Sequence, residues 1–65
     1  MPEQLYTFAL EYPQFIEEID VRASSRREAC ARARQLAERD YEPGWDRLLE
    51  LPPGGSGGMV TVWQA

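Results

Sequence analysis

The chain has no histidine, no lysine and one cysteine, Cys30. A zinc site therefore lacks its usual ligands, and no internal disulfide can form. The residues that most often move protons in enzymes are missing as well, which leaves little but carboxylates for acid–base work. No apolar run approaches the roughly 20 residues that cross a bilayer, and the N-terminus lacks the basic-then-apolar pattern of a secretory leader. The expectation is a soluble, cytosolic protein with no membrane contact, no metal and no cofactor. With 65 residues, the chain is read as one small domain, 1–65. Such a domain buries only about 60% of its unfolded surface and is stable by a few kcal/mol at most.

What is present begins with a helix. From Ser24 to Asp40, Ala29, Ala33, Leu36 and Ala37 recur at helical spacing and form one apolar stripe, with the arginines directed elsewhere. Ser25 followed by Glu28 is a capping box, in which the hydroxyl takes an orphan amide and the carboxylate reaches back to the amide of the cap. Leu36 is expected to be buried with Phe8, Ile19 and Val21. Cys30, beside the stripe, reads as a small packing residue.

The flanking segments alternate with a period of two. In residues 4–12, Tyr6, Phe8, Leu10 and Tyr12 share one side. Pro13-Gln14 makes a hairpin turn, and residues 15–23 alternate again, with Phe15, Glu17, Ile19, Val21 and Ala23 on one row. The row with Ile19 and Val21 should face the helix, so Glu18 and Asp20 face solvent and Glu17 sits near the hairpin end. Beyond the connector 40–44, Trp45, Leu48 and Leu49 fit a short helix, although Trp45, Leu49 and Leu51 also fit one side of a strand; the helix is preferred. Residues 52–58, Pro-Pro-Gly-Gly-Ser-Gly-Gly, suit a flexible connector. Residues 59–64 read as a closing strand with Val60 and Val62 on one side and Met59, Thr61 and Trp63 on the other. The expected fold class is α+β: a three-stranded antiparallel sheet packed on one main helix, in the order ββα, short α, β.

The net charge of −4 conceals a division. Residues 1–21 carry five acids and no base, residues 22–39 carry six of the seven arginines against two acids, and residues 40–65 carry four acids against Arg47. Adjacent carboxylates such as Glu17 and Glu18 point to opposite strand faces and cannot converge on a substrate, so no catalytic residue is assigned and an enzyme is not expected. The glycine-rich segment lacks a Gly-Lys-Ser/Thr ending and runs into a strand rather than a helix, unlike a phosphate cradle. Direct nucleic-acid binding is disfavoured by the acidic balance, and Arg26, Arg32 and Arg39 are expected to be occupied by neighbouring acids. The acids themselves remain. Glu18 and Asp20 lie two residues apart on one strand face, about 6.6 Å by strand rise, a spacing of the order of successive phosphates on DNA. Glu17, Glu18, Asp20, Asp40, Glu42, Asp46 and Glu50 are the candidate contacts for a basic protein surface.

A small acidic chain of strand-strand-helix-strand layout without a catalytic motif resembles the phage-borne anti-CRISPR proteins, in particular inhibitors of type I effector complexes. That resemblance implies a monomeric, stoichiometric DNA mimic. Its partner would be the large, PAM-recognising subunit of such a complex, and its action would be to block target DNA binding. The Ser25-x-x-Glu28-Ala29 helix start after a strand pair is also similar to HicB-type antitoxins, but the Pro-Asp-Leu-Pro-Gly segment of that family is missing between Ile16 and Ala23. A non-enzymatic adaptor module is the third possibility.

Overall fold

A computed structural model describes residues 2–52 and 58–65. The elements are β1 (Gln4–Glu11), β2 (Ile16–Ala23), α1 (Arg26–Arg39), β3 (Arg47–Leu51) and β4 (Val60–Gln64). They make an α+β fold in which one helix packs on a four-stranded antiparallel sheet of order β2-β1-β3-β4.

β1 and β2 form a hairpin whose register runs from Gln4 opposite Ala23 to Glu11 opposite Ile16. This register puts Phe8 across from Ile19 and Tyr6 across from Val21, so the apolar rows of both strands lie on the same face. β1 is antiparallel to both β2 and β3, so β2 and β3 run parallel on either side of it. Parallel strands need a long crossover. α1 is that crossover, and it brings its alanine stripe down on the centre of the sheet.

Ala29, Ala33 and Ala37 are fully buried against Phe8, Leu10, Ile19, Val21 and Leu48. Their small side chains let the helix lie close to the sheet, and the sheet supplies the bulk. Each of the fully buried residues Phe8, Leu10, Ile19 and Leu48 contributes about 1.5–3 kcal/mol by leaving water. Leu36 packs at the margin of this core and is only half-buried, because the stripe that meets the sheet is centred on the alanines.

Ser25 caps α1 as its sequence suggests: its hydroxyl accepts the amide of Glu28 at 3.2 Å. The carboxylate of Glu28, however, takes the amide of Ser24 at 3.1 Å, one residue before the cap. The helix ends where the Asp40 amide donates to the Leu36 carbonyl at 2.8 Å. Gly44, at φ 102°, then turns the connector in a conformation that side chains with a Cβ resist.

The segment after the connector is a strand and not the short helix expected from Trp45, Leu48 and Leu49, so the sheet has four strands instead of three. The reason is tertiary. Between β1 and β4, β3 is flanked on both sides, Leu48 meets the helix face at Leu10 and Leu49 meets Ala9 on the opposite face. A central strand buried on both faces has consecutive apolar residues, which locally imitate helical spacing. Trp45 precedes β3 and packs half-buried against the core. The expected alternation of the last strand is also corrected. A register shift between Leu48 and Leu49 inserts an extra residue in β4, so Val60 and Trp63 pair with Glu50 and Leu48 on the helix side while Thr61 pairs with Leu49 on the other. The glycine-rich residues 53–57 lie outside the described residues. Among the described residues, no helix is long and apolar enough to cross a membrane.

Candidate functional site: an acidic end

The tip of the β1–β2 hairpin and the α1–β3 connector meet at one end of the molecule. At the tip, the Tyr12 amide donates to the Phe15 carbonyl at 2.8 Å, and the Tyr12 and Phe15 rings stack with centroids 4.4 Å apart. The Tyr12 hydroxyl donates to the Glu42 carbonyl at 2.8 Å, and the Tyr41 hydroxyl reaches the Glu18 carbonyl at 3.4 Å. Two tyrosines thus tie the connector to the hairpin. On the sheet side, the Asp46 amide donates to the Glu11 carbonyl at 2.6 Å, which brings Asp46 to the same end.

This end carries the carboxylates. Glu17 and Glu18 leave opposite faces of β2 near the tip, Asp40 ends the helix, Glu42 follows Tyr41, and Asp46 precedes β3; all are exposed. Asp20, also exposed, lies further along β2 on the same face as Glu18. Burial of the Tyr12 ring pushes its phenol pKa up, and the charges of Glu17 and Glu42 push it further.

Pairing divides the acids of the chain into two groups. Glu3 and Glu28 pair with Arg32, Glu38 with Arg34, Glu50 with Arg26, and Glu11 with Arg47. Arg47 grips Glu11 through two hydrogen bonds, both 2.9 Å. Those bonds hold the Glu11 carboxyl below its ordinary pKa; desolvation opposes them, and the Arg47 charge adds to them. Among the described residues, Glu17, Glu18, Asp20, Asp40, Glu42 and Asp46 form no ion pair.

The seventh expected contact, Glu50, does not belong with these six. It sits on the helix side of β3 opposite Phe8, is only 7% exposed, and is engaged by Arg26 beneath the start of α1. Cys30 lies nearby, half-buried; burial raises its thiol pKa, Glu50 raises it further and Arg26 opposes them, so the thiolate is disfavoured. Of the three arginines expected to be neutralised locally, Arg26 and Arg32 are paired, while Arg39, like Arg22 and Arg27, forms no ion pair among the described residues.

Two residues at this end were not among the expected contacts. Phe15 and Ile16 are 50% and 57% exposed, and together with Glu11 and Asp46 they line a shallow hollow at the tip. Phe15 was expected on the inward row, but β2 begins one residue later and the ring folds back onto Tyr12 instead. Its position directly after the turn residues Pro13-Gln14 is the one sequence signal of this placement. No three of the cysteine, aspartate and glutamate side chains among the described residues gather closely enough to hold a metal ion. No protein-family model matches the chain, and no match is found among curated proteins or solved structures.

Proposed function

We propose that this chain is a non-enzymatic docking protein whose acidic end occupies a basic, nucleic-acid-binding groove on another protein. The observation that carries this reading is the set of six exposed carboxylates that form no ion pair among the described residues, while five others are paired. An unpaired carboxylate keeps its full field for an incoming partner, and a cluster of them attracts a basic surface from a distance. Phe15 and Ile16, exposed within that cluster, add apolar area of the kind that anchors an interface inside a charged rim. The partner this reading favours is the large, PAM-recognising subunit of a type I CRISPR effector complex, with target DNA excluded by occupancy. The antitoxin alternative draws only on the Ser25–Glu28 helix start, whose side chains are spent on local backbone amides.

The test is association with a type I effector complex, with and without target duplex, for the wild type and for Glu18→Arg with Asp20→Arg. The reading requires competition with DNA, weakening as salt screens over about 8–10 Å, and loss of binding on charge reversal with the fold intact. Simultaneous binding of duplex and this protein, or undiminished affinity after reversal, refutes it.

A further inference from the structure

The sheet has two outer strands, β2 and β4, and they are finished differently. On β2, the Arg32 guanidinium donates to the Arg22 carbonyl and the Tyr41 hydroxyl reaches the Glu18 carbonyl. Glu18 and Arg22 are four residues apart on one strand, so their carbonyls point the same way, outward from β1. β2 also carries Glu17, Glu18, Asp20 and Arg22. A charged edge with side chains seated on its carbonyls resists a further strand.

Among the described residues, nothing gives β4 either protection. Residues 59–64, Met-Val-Thr-Val-Trp-Gln, contain no charge and no proline and are rich in residues that favour strands. Met59, Val60 and Trp63 are 50%, 51% and 39% exposed. Arg34 covers the Trp63 ring from the helix side, 3.5 Å from its centroid, and among the described residues no side chain hydrogen-bonds the β4 backbone.

We propose that β4 is the pairing edge of a symmetric homodimer, in which β4 of one copy lies antiparallel to β4 of a second and the two sheets become one. A second copy fits because the strand is uncharged: two-fold pairing sets no like charges opposite each other. The contact is closed, since it uses the same strand on both sides and the capped β2 edge offers no site for growth into a fibre. A five-residue strand buries far less than the roughly 1,600 Å² of a standard interface, so the dimer is weak and the single copy expected from the sequence prevails at low concentration. Its salt dependence is opposite to that of the acidic end: two copies of net charge −4 repel, and screening that repulsion tightens an uncharged contact. The inference is independent of the docking reading.

Sedimentation equilibrium from about 10 µM to about 1 mM, a range that brackets weak association, tests it at low and high salt. The wild type should rise from the 7.5 kDa chain mass toward twice that value, further at high salt, and β4 amides should gain hydrogen-exchange protection over the same range. Met59→Lys with Thr61→Lys should remain a single chain with an unchanged melting curve. A constant single-chain mass at the highest concentration overturns the proposal, as does a dimer that protects β2 instead of β4. Should the double variant fold poorly, the wild-type exchange pattern decides alone.

Discussion

The two ends of this molecule use acidic residues in opposite ways. Around the start of α1, the Glu28 carboxylate accepts the Ser24 amide and pairs with Arg32, and Glu50 is drawn under the helix by Arg26. At the hairpin and connector end, Glu17, Glu18, Asp40, Glu42 and Asp46 are exposed and form no ion pair among the described residues, and Asp20 extends the set along β2. Both ends carry carboxylates. Only one has charge left over for a partner, so pairing rather than composition distinguishes a scaffold carboxylate from a candidate contact.

Three experiments press on that distinction. The largest effect belongs to Arg26→Ala, which strands the buried Glu50 carboxylate. Breaking a fully buried pair costs about 3–5 kcal/mol, but the Arg26 side chain is 61% exposed, so about 1–2 kcal/mol is expected by denaturant unfolding. An unchanged midpoint would mean that water already serves Glu50. The next effect is on pH. Because Arg47 depresses the Glu11 pKa in the folded state, their pairing stabilises fully above the unfolded value of about 4.3 and is lost as pH falls through the lower folded value. Thermal melts of the wild type should therefore weaken below that range more steeply than those of Arg47→Met; parallel acid limbs would remove Glu11 from the account. The smallest effect is expected at the other end. Glu18→Gln with Asp20→Asn should change stability by less than about 0.5 kcal/mol, toward a gain because like charges are removed. A loss above about 1 kcal/mol would make these side chains part of the scaffold.

The hairpin, the helix and the division of charge were legible in the sequence because each is a local property. Period-two alternation in β1 and β2, the Ser25 cap and the alanine stripe all act within a few residues of chain. β3 was misread for the complementary reason. Leu48 and Leu49 are adjacent apolar residues because one faces the helix and the other is buried on the opposite face of the sheet, and that pattern becomes intelligible only once β1 and β4 are in place. The extra residue in β4 likewise has no local signature; it is defined by pairing with β3. The candidate contacts were legible as charges but not as a site: Glu50 looked like the rest, and Phe15 looked like core.

The sequence by itself determined the α+β class, the main helix and its start, the hairpin and its turn, and the excess of acid outside α1. Those features rest on propensity, periodicity and counting, which need no knowledge of what lies across the fold. Tertiary structure alone decided that the sheet has four strands, that Ala29, Ala33 and Ala37 rather than Leu36 form the centre of the helix contact, and which carboxylates are spent on arginines. An ion pair such as Arg26–Glu50 joins residues 24 positions apart, and Arg47–Glu11 joins residues 36 apart. Charge neutralisation at that range depends on which strands the crossover brings together, and no stretch of sequence carries that information locally.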